Sequence, residues 1–226
     1  MTDKTSRPLL LLVHGAWHGA WSWDKPASVL RGADHRVHTV DLPSAGGLTG
    51  VEADAQTIRA ALGRIDGPVV LVAHSYGGIP VTQAAAEAGN VSHLVYLAAY
   101  QLDIGESLLG FHGASVSPDT EATQPVPENP IPVFYGDVER REAEEAAERL
   151  VPQSTKSFGD ALTRAGWRTV PSTYIVCEDD RALPVESQEL MAARSGTVHR
   201  MASSHSPFLS RPAELAALLA RIAAKA

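Results

Sequence analysis

The chain has 226 residues, of which 44% are hydrophobic and 20% charged, values typical of one globular domain with a substantial core. Its formal net charge of -7 argues against nucleic acid or an anionic membrane as the main partner, because both attract clustered Lys and Arg. The short apolar run near the N-terminus leads into a His-Gly pair without a signal-peptide cleavage pattern, and no stretch is long enough to span a membrane. Because Cys177 is the single cysteine, internal disulfides are excluded and a cytoplasmic location is expected.

Short runs rich in Val, Leu and Ile alternate along the chain with segments of helical periodicity. Such runs are typical of strands buried on both faces of a parallel sheet. They cover residues 8–15, 35–43, 68–75, 92–100, 172–180 and 197–202. The alternation predicts an α/β fold with a doubly wound, mostly parallel sheet. In such a fold the loops after the strands lie along the carboxyl edge of the sheet, where active sites are found.

The alternation stops in residues 101–167. Prolines in GASVSPDTEATQPVPENPIP argue against a regular helix or a central strand, whereas DVERREAEEAAERL predicts a helix with Asp137 as its N-cap. We therefore expect this stretch to form a small helical cap over the carboxyl edge, and residues 1–100 and 168–226 to form the core domain. A disordered acidic linker is the alternative, although four aromatic side chains in the stretch could pack against the core.

The segment VVLVAHSYGG places Ser75 where a buried strand turns sharply into a helix. Its A-x-S-x-G pattern is close to the G-x-S-x-G nucleophile elbow, with Ala73 in the place of a glycine. Small residues flank the serine there because the strand and helix backbones nearly touch. Ser75 is the predicted nucleophile, and the neighbouring His74 is expected to pack inward.

A serine hydroxyl needs a base beside it, and the base needs a carboxylate that orients it. In enzymes with this elbow, the acid and then the histidine follow the serine along the chain. Of nine histidines, only His199 and His205 come late enough; His199 lies in a predicted strand, so His205 in SSHSPF is the predicted base. Asp103 is one candidate acid. Three more candidates end the predicted strand of residues 172–180, and spacing alone does not choose among them: Glu178, Asp179 and Asp180.

The chemistry also needs an oxyanion hole, formed by two backbone N–H groups directed at the oxygen that becomes negative. One donor is expected at Tyr76, directly after the nucleophile. The other is expected at Ala16 in VHGAWHGAW, where glycines let the backbone approach a substrate. Gly15 and Trp17, on either side of Ala16, are the predicted substrate-binding residues, and a role in the core is the alternative for Trp17.

Four segments together resemble the α/β-hydrolase superfamily, specifically its branch of esterases and hydroxynitrile lyases, which includes plant methyl esterases and small bacterial carboxylesterases. LLLVHGAWHGAWSW is similar to the oxyanion loop, VVLVAHSYGG to the elbow, YIVCEDDRALP to the acid loop and SSHSPFLSRP to the histidine loop. The resemblance covers nearly the whole chain. It implies that Asp180 is the catalytic acid, since the family's aspartate stands four residues before the proline of D-x-x-x-P, here Pro184. It also implies that His14 supports the oxyanion loop and that the cap roofs the pocket.

The resemblance implies a carboxylesterase-type serine hydrolase without cofactors, which cleaves small to medium carboxylic esters through an acyl-enzyme. Lyases of this branch typically carry a threonine at the position of Gly15 and a lysine at that of Ser206, so this chain favours the esterase. A hydroxynitrile lyase and a non-catalytic small-molecule sensor are the alternatives, and a thioesterase or lactonase would share the mechanism. Metal and nucleotide motifs are absent from the sequence, so the expected partner is a small-molecule ester, bound by a monomer or homodimer.

Overall fold

The computed structural model describes residues 7–117 and 119–226. The strands in these residues are β1 Leu9–Val13, β2 Val37–Val40, β3 Val69–His74, β4 Val91–Leu97, β5 Thr123–Gln124, β6 Gln153–Ser154, β7 Ser172–Cys177 and β8 Thr197–Met201. The α-helices are α1 Asp24–Gly32, α2 Val51–Leu62, α3 Gly78–Ala85, α4 Leu108–Phe111, α5 Pro130–Phe134, α6 Arg140–Ala147, α7 Thr155–Gly159, α8 Val185–Ala192, α9 Pro207–Ser210 and α10 Pro212–Ala223.

A six-stranded sheet with the order β2-β1-β3-β4-β7-β8 forms the centre of the fold. Every neighbouring pair in it is parallel. The inner strands β1 and β3, with the sequences LLLLV and VVLVAH, are buried at every residue, as expected for strands that helices cover on both faces. The predicted doubly wound α/β fold is therefore confirmed.

Side chains of the strands enter two separate apolar layers, because successive residues of a strand point to opposite faces. Leu9 and Leu11 of β1 belong to the layer that contains the buried faces of α2, α3 and α8. Leu10 and Leu12 belong to the layer that contains those of α1 and α10. Within the described part of the chain, none of the helices has the length and hydropathy that crossing a bilayer requires.

Between β4 and β7 the chain leaves the sheet and forms α4 to α7 and a small antiparallel sheet of β5 and β6. Three of its aromatic side chains, Phe134, Tyr135 and Phe158, are buried in the two apolar layers. This packing contradicts the alternative of a disordered linker. The boundaries given for the cap, residues 101–167, stay a prediction.

Two local expectations for this segment were wrong. The N-cap of α6 is Glu139, whose carboxylate accepts hydrogen bonds from two backbone N–H groups at the start of the helix. Asp137 instead accepts a hydrogen bond from the hydroxyl of Ser204, which precedes His205 in the histidine loop. The proline-rich stretch also contains the short helix α5, which begins at Pro130 because a proline fits the first helical position, where an N–H would have no partner.

Candidate active site

The predicted nucleophile lies at a sharp turn at the carboxyl edge of the sheet. β3 leads directly into a single helical turn that begins at Ser75, and α3 follows it. Ser75 has a φ of 51°, in the left-handed region that is unfavourable for a residue with a Cβ. A Cβ at Gly77 would lie 2.4 Å from the carbonyl oxygen of His14, so only glycine fits there. This is the strained strand–turn–helix geometry of a nucleophile elbow.

Asp180 and His205 form a buried pair at the same edge of the sheet. His205 follows β8 and Asp180 follows β7, and His205 Nδ1 lies 2.7 Å from Asp180 Oδ2. The carboxylate is held by the backbone N–H groups of Ala182 and Leu183, which donate to Oδ1 over 2.7 and 2.9 Å. Since His205 Nδ1 donates to the carboxylate, its Nε2 is the nitrogen that is available to take a proton.

The other candidate acids do not contact this histidine. Glu178 and Asp179 are exposed on the loop after β7. Asp103 pairs instead with Arg168, with 2.7 Å between its Oδ2 and the guanidinium Nη2. The structure therefore places Asp180 against His205, as the resemblance implied, and leaves the alternatives elsewhere.

A buried glutamine behind the acid was not found from the sequence. Gln188 of α8 donates from Nε2 to Asp180 Oδ2 over 3.1 Å and to the carbonyl of Leu183 over 2.8 Å. Its Oε1 accepts a hydrogen bond of 2.9 Å from the backbone N–H of Cys177 at the end of β7. Gln188 thus fixes the acid loop to the strand that precedes it.

Ser75 and His205 line one cavity of about 190 Å³. Within the described residues no hydrogen bond joins the two side chains. Catalytic hydrogen bonds are often long without substrate and tighten in the complex. The other lining side chains are mostly apolar and include Trp17, Leu108, Val133, Phe134, Phe158 and Leu183. Of the two predicted substrate-binding residues, Trp17 therefore lines the cavity and Gly15 does not.

The predicted oxyanion donors also meet at this cavity. Ala16 and Tyr76 both line it, and neither backbone N–H donates a hydrogen bond to another group in the described part of the chain. Unpaired N–H groups next to a nucleophile are what a developing oxyanion requires. Gly15 lies directly behind, where a Cβ would be 2.9 Å from both Ser75 Cβ and His74 Nδ1.

His14 fixes the direction of the Ala16 N–H through the preceding carbonyl. Its Nδ1 donates to the carbonyl oxygen of Gly15 over 2.8 Å, and its Nε2 accepts from the backbone N–H of Leu42 over 2.9 Å. The Gly15 carbonyl and the Ala16 N–H belong to one planar trans peptide and point in opposite directions. Holding the carbonyl therefore holds the N–H, and His14 acts as a support for the loop, as the resemblance implied.

His18 holds the next peptide and was missed in the sequence. Its Nδ1 donates to the carbonyl oxygen of Ala16 over 2.8 Å, while its Nε2 accepts from the hydroxyl of Tyr135 over 2.9 Å. Burial lowers the pKa of His18 to about 3, so the ring stays neutral and keeps this tautomer. The repeated His-Gly pair in VHGAWHGAW was the available signal, but its partner Tyr135 is distant in sequence.

His74 is structural, as expected. Its Nε2 donates to the backbone carbonyl of His205 over 2.9 Å, and the two rings lie 4.5 Å apart. Burial holds the pKa of His74 well below its usual range, so the imidazole is neutral. It positions the loop that carries His205.

A second buried acid lies behind the elbow. Asp54 of α2 accepts hydrogen bonds from the hydroxyls of Ser44 and Tyr76, and both distances are 2.5 Å. Gln153 of β6 donates to Ser44 Oγ over 2.8 Å and accepts from the backbone N–H of Trp17 over 3.3 Å. Burial raises the pKa of Asp54 to about 6. This network joins the elbow, the oxyanion loop and the segment between β4 and β7.

Comparison with known proteins identifies the family. A model described as "Alpha/beta hydrolase family" matches residues 10–218. The chain belongs to the α/β-hydrolase family. Among the described residues, no group of three or more His, Cys, Asp or Glu side chains is arranged to hold a metal ion.

Several relatives of this α/β-hydrolase have esterase names. Methylesterase 7 of Arabidopsis thaliana is 31% identical over 99% of both chains. A carbendazim-hydrolysing esterase of Nocardioides sp. (strain SG-4G) is 34% identical over 69% of this chain and 73% of its own length. A pyrethroid hydrolase from Sphingobium faniae JZ-2 has a similar structure, with a TM-score of 0.81 and 26% identity over 96% of this chain and 97% of that one. The predicted resemblance to the esterase branch is confirmed.

Proposed function

We propose that this protein is a serine hydrolase that cleaves small to medium carboxylic esters through an acyl-enzyme. The observation that carries the proposal is the contact of 2.7 Å between Asp180 and His205 at a cavity that both His205 and Ser75 line. The esterase names of the relatives support ester hydrolysis as the class of reaction. The acyl-enzyme and the size of the substrate are inferred from the arrangement of the side chains and from the cavity.

In the proposed mechanism, Ser75 Oγ attacks the ester carbonyl while His205 Nε2 takes the hydroxyl proton. Asp180 stabilises the resulting imidazolium, and the N–H groups of Ala16 and Tyr76 bind the tetrahedral oxyanion. The imidazolium then gives its proton to the leaving alcohol as the C–O bond breaks. A water molecule then attacks the acyl-enzyme while His205 takes one of its protons, which forms a second tetrahedral intermediate. When this intermediate collapses, the carboxylic acid is released and His205 returns the proton to Ser75 Oγ.

The site offers little support for cyanohydrin cleavage. A threonine at Gly15 would place its Cβ 2.9 Å from Ser75 Cβ, and Ser206 cannot supply the cation that a leaving cyanide needs. Unpaired backbone donors at Ala16 and Tyr76 suit an acyl intermediate, whose carbonyl oxygen becomes negative.

We also propose that the segment of residues 101–167 acts as a cap, because Leu108, Pro127, Phe134 and Phe158 in it line the cavity. Substrate selection would then depend on this segment. The single buried cysteine and the net charge of -7 favour a cytoplasmic enzyme that acts on a free small-molecule ester, without nucleic acid or membrane as partner, as a monomer or homodimer.

Replacing Ser75 by Ala tests the proposal. We expect the variant to lose turnover of p-nitrophenyl acetate and labelling by a fluorophosphonate, while its thermal midpoint stays close to that of the wild type. Ser210→Ala is the matched control, since the Ser210 hydroxyl is buried without a hydrogen-bond partner among the described residues and Ser210 does not line the cavity. A Ser75→Ala enzyme that retains activity contradicts the mechanism. A wild type that cleaves mandelonitrile but no ester would favour the lyase.

A further inference from the structure

The wall of the cavity that Ser75 and His205 line carries one charged side chain, Arg181, among the described residues. Among the described residues that line it, Arg181 is the only Arg, Lys, Asp or Glu. It follows the proposed catalytic acid directly in the chain and is exposed, so it lies where the cavity opens to solvent. The remaining wall is formed by aromatic and aliphatic groups and a few hydroxyls.

The guanidinium of Arg181 has no ion pair or side-chain hydrogen bond within residues 7–117 and 119–226. Its neighbour Asp180 is occupied by His205, Gln188 and two backbone N–H groups. The exposed Glu178 and Asp179 share the loop, but neither forms an ion pair with Arg181. The five N–H donors of this side chain are therefore available to a bound molecule.

We propose that Arg181 forms a carboxylate-binding subsite at the cavity mouth, and that the preferred substrates are esters that carry a free carboxylate remote from the ester bond. Half-esters of dicarboxylic acids are the simplest members of this class. This inference rests on the proposed ester hydrolysis and specifies its substrate.

The physical argument is that a charged substituent cannot enter a mostly apolar cavity without a partner, because desolvation of an unpaired carboxylate is costly. A guanidinium at the mouth compensates this cost, since its planar donors match both carboxylate oxygens. The ester end can then reach Ser75 while the carboxylate stays at the solvent boundary. A neutral ester of the same length gains nothing from Arg181.

The test compares two methyl esters of equal length: the monomethyl ester of a dicarboxylic acid, and the same ester with its free carboxylate converted to a primary amide. Succinate, adipate and suberate derivatives cover a range of lengths, and methanol release gives kcat and KM. For the best half-ester, we expect Arg181→Met to lower kcat/KM about fivefold to tenfold, mainly through KM. The amide ester should change less than twofold, and Arg181→Lys should recover part of the loss.

Arg64→Met is the matched control, because Arg64 is an exposed arginine in the loop before β3, at the opposite edge of the sheet, and its loss changes the net charge equally. It should leave both esters unaffected. An equal loss on both esters in Arg181→Met, an equal loss in Arg64→Met, or a wild type that cleaves amide esters but not half-esters would overturn the subsite. Failure of the wild type to cleave any ester would instead contradict the proposed function.

Discussion

Replacing Asp180 by Asn would test whether this carboxylate sets the tautomer of His205. The backbone N–H groups of Ala182 and Leu183 donate to Oδ1 at 2.7 and 2.9 Å. An asparagine must keep its oxygen at this place, because an NH₂ group would face two donors. Its NH₂ would then replace Oδ2, which now accepts hydrogen bonds from His205 Nδ1 at 2.7 Å and from Gln188 at 3.1 Å.

The amide in this orientation would reverse the hydrogen bond to the imidazole. With a donor opposite it, His205 Nδ1 must accept, so the ring carries its proton on Nε2 and cannot take one from Ser75. The corresponding substitution in the serine-protease triad lowers kcat about 10⁴-fold. We expect a loss of about 10³- to 10⁴-fold here, which corresponds to about 4 to 5.5 kcal/mol in the activation barrier.

The assay is the steady-state hydrolysis of p-nitrophenyl acetate, with the thermal midpoint of each variant measured to show that it is folded. Asp179→Asn serves as the control, since Asp179 is the exposed neighbour without contact to His205, and it should keep kcat within about twofold of the wild type. A folded Asp180→Asn enzyme with a rate within tenfold of the wild type would refute the reasoning. So would a large loss in Asp179→Asn.

Two further predictions concern buried positions. Because burial raises the pKa of Asp54 from 3.8 to about 6, its contribution to stability is complete below pH 3.8 and is lost as the pH rises through 6, which amounts to up to about 3 kcal/mol. In urea unfolding, the stability of the wild type relative to Asp54→Asn should decline by this amount between pH 4 and pH 7, and a constant difference would count against the argument. Gly15→Ala should lower kcat about 10- to 100-fold, because the new Cβ would lie 2.9 Å from Ser75 Cβ and displace the nucleophile. Gly89→Ala is the control, because a Cβ there has no neighbour within 4 Å, and it should leave kcat unchanged. A wild-type kcat in Gly15→Ala would show that the elbow accommodates the additional methyl group, which contradicts the prediction.

The sheet and the elbow could be predicted because their signals are local. β1 and β3 are continuous apolar runs, and covering both faces of a parallel sheet requires such runs. The serine lies in a short motif whose glycine has a steric cause, namely the carbonyl of His14 at 2.4 Å from a Cβ on Gly77. Each of these features depends on a few consecutive residues and one neighbouring strand.

The choice of acid shows where local reasoning ends. Glu178, Asp179 and Asp180 are consecutive, so composition and spacing treat them alike, and only the family resemblance pointed to the third. In the structure the difference arises from the turn after β7: Asp180 points inward, where the N–H groups of Ala182 and Leu183 bind its carboxylate, while the other two remain in solvent. The direction of each side chain depends on the backbone angles of this turn, which the local sequence does not specify.

The buried polar network was missed because its partners are far apart in the chain. Tyr135 and His18 are separated by 117 residues, and Gln153 and Ser44 by 109. A buried histidine or aspartate can be identified as functional or structural only when its hydrogen-bond partner is known. Tyr135 and Gln153 lie in the segment between β4 and β7, whose elements, such as α5 and β6, are too short for periodicity to detect.

The oxyanion loop depends on more than its own sequence. His14 holds the Gly15 carbonyl within the core, whereas the carbonyl of Ala16 is held by His18, which Tyr135 orients from the segment between β4 and β7. The next residue, Trp17, has a φ of 62°, and its N–H donates to Gln153 of the same segment. A strained backbone persists only where surrounding contacts hold it. The segment that forms much of the cavity wall therefore also restrains the peptides next to Ala16, the proposed oxyanion donor, so we expect changes in this segment to affect both substrate selection and the rate constant.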